Sequence, residues 1–429
     1  MTTRPIPIDD REQISRAQIL RAAGIVFLKE GFERTSVDMI AAVAHMSKQS
    51  LYAFYPNKLA LFEAAVRREV GGSRHRDAVA ECDQDIAATL RRYAERLFAD
   101  FTDPTNFGLF RANIAAANHV PALAADLHAW RLAGSRPLGD YLERQVAAGR
   151  IVPCDALAMA IRFGGLVVGG SRLFFGYPAP APDDRDALAN TAIRLFLHGY
   201  AGAATAAERP DDIEPAPDLA PDLANIFAPP ALEGTAALRL SPAKLAALVE
   251  AATAEFIDQG YRGANVERIA AAVHASKATI YRQFGNKEKL LRYAIQQDIH
   301  VAGQAALPTD AGPDLDAAIT GLARAAMDEH LHPRNIRMHR LLIQEADLLP
   351  DLARRFHAGR EARLGLALTA VLRHHARPAP SASDIAAFHV LATYAVRFFT
   401  DDTPVDPAVR DRYAAECARL FLHGLATGG

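Results

Sequence analysis

Ser47-Lys48-Gln49-Ser50-Leu51-Tyr52-Ala53-Phe54-Tyr55-Pro56-Asn57-Lys58 decides how this chain is read, because the chain writes the stretch twice. The second version is Ser276-Lys277-Ala278-Thr279-Ile280-Tyr281-Arg282-Gln283-Phe284-Gly285-Asn286-Lys287, 229 residues later. At that offset residues 31–62 and 260–291 share 12 identities in 32 positions without a gap. Pro121-Ala122-Leu123-Ala124 is echoed by Pro350-Asp351-Leu352-Ala353 at the same offset. The run Arg194-Leu195-Phe196-Leu197-His198-Gly199 returns as Arg419-Leu420-Phe421-Leu422-His423-Gly424 at an offset of 225, so the second copy is a few residues shorter. The period is too long for a solenoid and predicts a duplicated unit of roughly 190 residues.

Between the copies, residues 202–240 carry Pro210, Pro215, Pro217, Pro221, Pro229 and Pro230 among the acidic Glu208, Asp211, Asp212, Glu214, Asp218 and Asp222. Such a stretch buries too little apolar surface to fold alone and reads as a Pro/acidic linker. Ile226-Phe227 is its apolar exception, placed to dock on a neighbouring domain. As a flexible coil the linker spans roughly 30–35 Å, enough for the copies to meet face to face.

Composition sets the outer bounds. The 429 residues are 50% hydrophobic and 23% charged, a globular balance. Lys+Arg number 48 against 50 Asp+Glu, a net charge of −2, so any nucleic-acid contact must rest on local patches. Cys82, Cys154 and Cys417 lie far apart, which fits a reducing compartment rather than a disulfide scaffold. No apolar run is long enough to span a membrane, and Met1-Thr2-Thr3-Arg4-Pro5 leads into charge rather than a signal core. The expectation is a soluble, helical, cytoplasmic protein with no membrane attachment.

Each copy reads as all-α. Ile19, Ala22, Ala23, Val26 and Phe27 lie at helical spacing within Ile14–Glu30, and Gly31 stands as a stop. Leu248, Ala252, Phe256 and Gly260 repeat the pattern after a Ser241-Pro242 start. Ser36 and its counterpart Asn265 cap a short second helix, a turn follows at Ala44–Met46, and Ser47 caps a third helix to about Phe54. Asn57 caps a fourth. Two short helices joined by a tight turn behind a packing helix make a helix-turn-helix. Polar atoms crowd the first turn of the third helix, where a groove-inserted helix meets base edges. Gln49 has the geometry to pair bidentately with adenine. The fourth helix offers a phosphate its free amides beside Lys58. The bland alternative is that Leu51 and Tyr52 are core and the lysines solvated surface.

This ordered pattern resembles the N-terminal domain of the tetracycline-repressor (TetR/AcrR) family of transcriptional regulators. The resemblance implies two tandem units, each a three-helix helix-turn-helix domain followed by a helical effector and dimerisation domain. The boundaries expected are 1–62, 63–201, the linker 202–240, 241–291 and 292–429. It assigns Thr35, Tyr52 and Lys58 to phosphate contacts and Ser47, Lys48, Gln49 and Ser50 to the groove, with Ser36 a further DNA-binding candidate. In the second copy Tyr281 and Lys287 take the phosphate roles, with Ser276, Lys277, Ala278 and Thr279 at the groove and Arg282 and Gln283 further DNA-binding candidates. Ala264 lacks the hydroxyl of Thr35, and Ala278 replaces Gln49, so the two heads should prefer different half-sites. Arg4 and Arg11 in the N-terminal arm could reach the minor groove or form a disordered tail.

The implied partners are a double-stranded DNA operator and an unknown small-molecule effector. Candidate pocket residues are Phe107, Phe110, Trp130, Phe163 and Phe174 in the first copy and Phe356, Phe388, Tyr394 and Phe398 in the second. Apolar residues at helical spacing are more often core than ligand contacts. Family members pair as homodimers, so one chain with two units is expected to be its own pseudo-dimer. Residues 155–176 and 185–201 would pack on 384–400 and 406–426, helped by Gly164-Gly165 and Gly169-Gly170. Pairing between chains, with four reading heads, is the alternative. A small-molecule-binding or scaffolding protein that no longer reads DNA is the other functional class. No H-E-x-x-H, G-x-S-x-G, P-loop or cysteine pair is present, so no enzyme, cofactor or metal site is expected. His374 and His375 would point about 100° apart on a helix, and His198 and His423 read as packing or capping residues.

Overall fold

The computed structural model describes residues 8–72, 85–103, 107–108, 111, 114, 121–170, 172–200, 223–231, 240–309, 312–393 and 404–426. Among them are 18 α-helices, one 3-10 turn and a single isolated β-bridge, Ile151 with Ala426. No helix of the described residues is long and apolar enough to cross a membrane. The chain divides into two compact units, one from residues 1–78, 99–134 and 399–401, the other from 79–98, 135–398 and 402–429.

In the first unit α1 (Ile8–Arg34), α2 (Val37–Ala44), α3 (Lys48–Phe54) and α4 (Lys58–Gly72) form the first head. Ile19, Ala22, Ala23, Val26 and Phe27 line one face of α1 and are buried with Ile40, Leu51, Leu61 and Phe62. Phe27 meets Phe62 edge to face at 4.8 Å, a pairing worth about 1 kcal/mol beyond its buried area. The α1 helix runs through Gly31 to Arg34 and begins at Ile8, longer at both ends than the sequence pattern suggests. Glycine permits a stop but does not enforce one. Then follow α5 (Ile86–Thr102), whose residues up to Phe98 belong to the second unit, and α6 (Pro121–Ala147), whose residues from Ser135 do.

The second unit holds α7 (Ala156–Gly170), the 3-10 turn Leu173–Phe175 and α8 (Pro182–His198), which close the first copy. Next come α9 (Leu223–Ile226), α10 (Pro242–Gly263), α11 (Val266–Ala272), α12 (Lys277–Phe284) and α13 (Lys287–Gln304). The unit ends with α14 (Leu315–His330), α15 (Pro333–Gln344), α16 (Pro350–His374), α17 (Ala382–Ala392) and α18 (Pro407–His423). At Gly260 the α10 backbone turns left-handed (φ 67°), which is the break expected there.

The α7 and α8 helices of the first copy pack on α17 and α18 of the second. Phe163 and Phe196 meet at 5.2 Å, and their counterparts Phe388 and Phe421 at 4.8 Å; all four are fully buried. Each such ring contributes about 1.5–3 kcal/mol by leaving water. The repeated Arg-Leu-Phe-Leu-His-Gly runs end α8 and α18, and their ends meet. Tyr200 N–H donates to Phe421 O at 2.6 Å, and Leu425 N–H donates to Phe196 O at 3.0 Å. These two bonds exchange equivalent residues, the signature of a two-fold relation. A Cβ on Gly199 would lie 2.5 Å from Gly424 N, and one on Gly424 would lie 2.4 Å from Leu197 C, so both copies need glycine there.

Side chains break the symmetry. Arg162, buried, pairs with Glu416 at 2.5 Å and lies 4.2 Å over the Tyr413 ring. Arg194 pairs with Asp384 at 2.7 Å. Gly169 faces Val390, whose Cγ2 would stand 2.8 Å from an added Cβ. The α9 helix is the docked apolar part of the linker: Phe227 packs on Gly303 and Gly359. Arg355 donates to Ile226 O at 2.7 Å and to Asn225 O at 2.5 Å.

Candidate nucleic-acid interface

Both heads are built by the same local chemistry. Ser36 Oγ accepts from Met39 N–H at 3.2 Å to start α2, and Asn265 Oδ1 accepts from Glu267 N–H at 2.7 Å to start α11. The turn after each helix places a histidine in the left-handed region, His45 at φ 52° and His274 at φ 49°. Equivalent backbone bonds close the two turns, Met46 N–H to Ala41 O at 3.0 Å and Ala275 N–H to Ala270 O at 2.9 Å. Ser47 Oγ then accepts from Ser50 N–H at 3.0 Å, and Ser276 Oγ from Thr279 N–H at 3.0 Å. The fourth helices start on Asn57, which accepts from Ala60 N–H at 2.8 Å, and Asn286, which accepts from Lys289 N–H at 2.8 Å.

These caps fix what the third helices present. Ser47, Lys48, Gln49 and Tyr52 are exposed on α3, and Ser276, Lys277, Tyr281 and Arg282 on α12. Tyr52 and Tyr281 keep 44% and 36% of their surface in water, unusual for large rings and the same in both heads. Ser50 and Thr279 are half-buried, their hydroxyls held against Ser47 and Ser276 at 2.8 Å and 2.9 Å.

Lys48 pairs with Asp38 at 2.8 Å, and Lys277 pairs with Glu267 at 2.8 Å. The hydrogen-bonded carboxylates raise both ammonium pKa values. Each lysine thus ties the start of its third helix to the first turn of its second, and sequence reasoning missed this exposed pair. Asp38 and Glu267 lie ten residues upstream at equivalent positions, the one signal that could have found it.

Lys58 Nζ donates to Phe32 O at 3.0 Å and lies 4.4 Å over the Phe32 ring. Lys287 Nζ donates to Arg262 O at 3.1 Å and lies 5.1 Å over Tyr261. Burial lowers the Lys287 pKa. Each lysine therefore anchors its fourth helix to the end of the first, with two of three ammonium donors left over. Thr35 is buried, as is Gln283. Neither stands with the exposed side chains.

Among the expected pocket residues, Phe163, Phe174, Phe356 and Phe388 are buried, and Phe107 is half-buried. Phe163 and Phe388 sit in the core between the copies. Phe356 meets His339 at 4.8 Å. Phe175, the neighbour of Phe174, meets His357 at 4.7 Å. Phe110, Tyr394, Phe398 and Arg4, with the side chains of Trp130 and Arg11, lie outside the described residues. His198 and His423 are exposed helix-end residues, His423 beside Asp316 at 2.9 Å. Cys154 and Cys417 are free thiols, the latter pushed up to about 12 by burial.

The family model described as bacterial regulatory proteins of the tetR family matches residues 19–65 and again 248–294. A second, described as the C-terminal domain of AefR-like transcriptional repressors, matches residues 88–202. The chain is 38% identical over 56 residues to a DNA-binding transcriptional repressor TetR of Mycobacteroides abscessus, covering 13% of this chain and 30% of that one. It is 35% identical over 106 residues to an HTH-type transcriptional repressor of Streptomyces coelicolor, covering 24% and 50% respectively. The chain thus spans half or less of the curated relatives it matches. A TetR family transcriptional regulator of Pseudomonas syringae is similar in structure, with 23% identity, 42% of this chain and 93% of that one covered, and a TM-score of 0.36.

Proposed function

Because the chain belongs to the TetR family of bacterial regulatory proteins, we propose that it is a DNA-binding repressor acting as a single-chain pseudo-dimer on a non-palindromic operator. In this reading residues 1–62 and 241–291 are the reading heads. Residues 63–201 and 292–429 pair the copies and take a small-molecule effector, and 202–240 join them. The observation that carries it is the reciprocal pair of bonds, Tyr200 to Phe421 and Leu425 to Phe196, which joins the two copies within one chain. A partner chain is then not needed to cover that face.

The heads supply contacts of two kinds. Ser47, Lys48, Gln49, Ser276, Lys277 and Arg282 sit at or beside the first turns of the third helices, where base edges are read. Tyr52, Tyr281 and the capped fourth-helix starts suit phosphates. Because Ala278 stands where the first head has Gln49, the two half-sites differ. Lys48 and Lys277 would exchange their carboxylates for base edges on docking, and the phosphate contacts beside them make affinity fall steeply with salt.

Selection from a random duplex pool with the full chain, followed by footprinting, tests the reading. One asymmetric site whose affinity drops as salt rises is expected. No enriched sequence would sink it. The internal anchoring of Lys58 and Lys287 would then favour a small-molecule-binding or scaffolding protein that keeps the helix-turn-helix as packing.

A further inference from the structure

In the second unit three metal-competent side chains meet. His357 and Glu361 stand four residues apart on α16, a spacing that puts both on one face, and His389 comes from α17. One ligand atom from each lies within 4.8 Å of the other two. His357 and His389 are more than nine-tenths buried. His357 Nδ1 has no hydrogen-bond partner. Its ring packs on the rings of Phe175 at 4.7 Å, Tyr177 at 5.8 Å and His389 at 5.4 Å, none of which gives that nitrogen a hydrogen bond. A buried polar atom left so is costly, and a coordinate bond removes the cost.

We propose that His357, Glu361 and His389 bind one divalent transition-metal ion of the zinc class. Two imidazoles and one carboxylate are the donor set of three-ligand zinc sites, whereas calcium and magnesium take oxygen ligands. Bonds of about 2.0–2.2 Å to a tetrahedral ion place ligand atoms about 3.4 Å apart. Side-chain rotation closes the three from their present separation.

Two arginines flank the cluster, Arg172 and Arg360. Arg172 Nη2 donates to Glu361 Oε1 at 2.7 Å, which occupies one carboxylate oxygen and leaves the other for the ion. Such an outer-shell donor also fixes the carboxylate's orientation. Arg360, the other cation facing the cluster, is answered by Glu329 at 3.1 Å. Both guanidinium groups are thus held by carboxylates, Glu329 being shared with Arg363. Burial, then Arg360 and Arg172, hold the His389 imidazole near a pKa of about 3. Burial, with His389 and Arg172, holds His357 well below its ordinary value. Arg172 belongs to the first copy, so the site lies where the two copies touch.

The test uses the full chain stripped with EDTA and titrated with Co²⁺, then Zn²⁺. One equivalent of Co²⁺ per chain, with visible absorption of a low-symmetry site and displacement by Zn²⁺, is expected. E361Q, close in shape to glutamate, and H389Q should each weaken Zn²⁺ binding at least tenfold in equilibrium dialysis while keeping the wild-type helical circular dichroism. A second readout is the wild-type melting temperature, which Zn²⁺ should raise and which it should leave unchanged in E361Q. The H374A/H375A double variant, at the end of the same helix, should bind as wild type. Absence of stoichiometric binding overturns the proposal, as does binding that E361Q and H389Q leave intact. None of these readouts involves DNA, so the outcome stands apart from that of the operator selection.

Discussion

At Gln49 the two heads part company. Both third helices are capped by serine and both carry an exposed tyrosine one turn on, but the second has Ala278 where the first has an exposed amide. Gln49→Ala should cost about 1–3 kcal/mol at one position of one half-site, and quantitative footprinting should show the other half-site untouched. Equal loss on both halves would remove Gln49 from base reading. The caps make a different prediction, about stability alone. Ser276→Ala removes the capping hydroxyl that accepts from Thr279 N–H, leaving it only the Ser276 carbonyl, and should cost about 1 kcal/mol in denaturant unfolding. His330 and His339, both fully buried, set an acid limit. Burial, then Arg360 and His389, depress the His330 pKa, and burial, His330 and Arg360 depress that of His339. In the unfolded chain both titrate near 6.5. Their stabilising effect is therefore complete above that pH and is lost as pH falls below it, by about 1.4 kcal/mol per histidine per unit. Urea midpoints at pH 7.5 and 5.5 should differ accordingly, and equal midpoints would contradict the burial of these rings as neutral groups.

Among the elements, the α7–α17 contact leaves little room. An added Cβ on Gly169 falls 2.8 Å from Val390 Cγ2, whereas one on Gly164 meets Leu97 Cδ1 at an ordinary 3.7 Å. Gly169→Ala should destabilise the chain by about 1–3 kcal/mol through overpacking, Gly164→Ala should not, and Val390→Ala should rescue the former. A double-mutant cycle by denaturation measures that coupling. The sequence pointed to this helix pair because small residues in an apolar run invite close approach, and it also showed the duplication, the caps and the turn at His45. What it did not show depends on tertiary contact. Thr35 and Gln283 are polar and look solvent-facing on paper, yet both are buried. Lys58 looks like a free cation until the α1 end is folded against it. Phe163 and Phe388 are as apolar as any pocket wall, and only packing reveals that they fill the core between the copies. His389 lies 32 residues from His357, too far for any spacing rule to join them.

For the whole molecule the question is whether one chain suffices. The reciprocal bonds between the ends of α8 and α18 occupy the backbone groups that a second chain would need for the same two-fold contact. The buried Arg162, paired with Glu416 and lying on Tyr413, is spent inside the chain as well. Breaking such a pair by removing one partner costs about 3–5 kcal/mol, and exchange with another chain would have to remake it without gain. Light scattering of the free protein should therefore give the 46.3 kDa of a single chain. The same mass should persist from micromolar to tenfold higher concentration, because an intramolecular pairing does not dilute away. With a selected duplex bound, the complex should contain one chain and one asymmetric site. A particle of twice the mass would mean that the copies pair between chains. The operator should then read as a repeated or palindromic site, since closed pairing of identical chains imposes its own symmetry on the DNA.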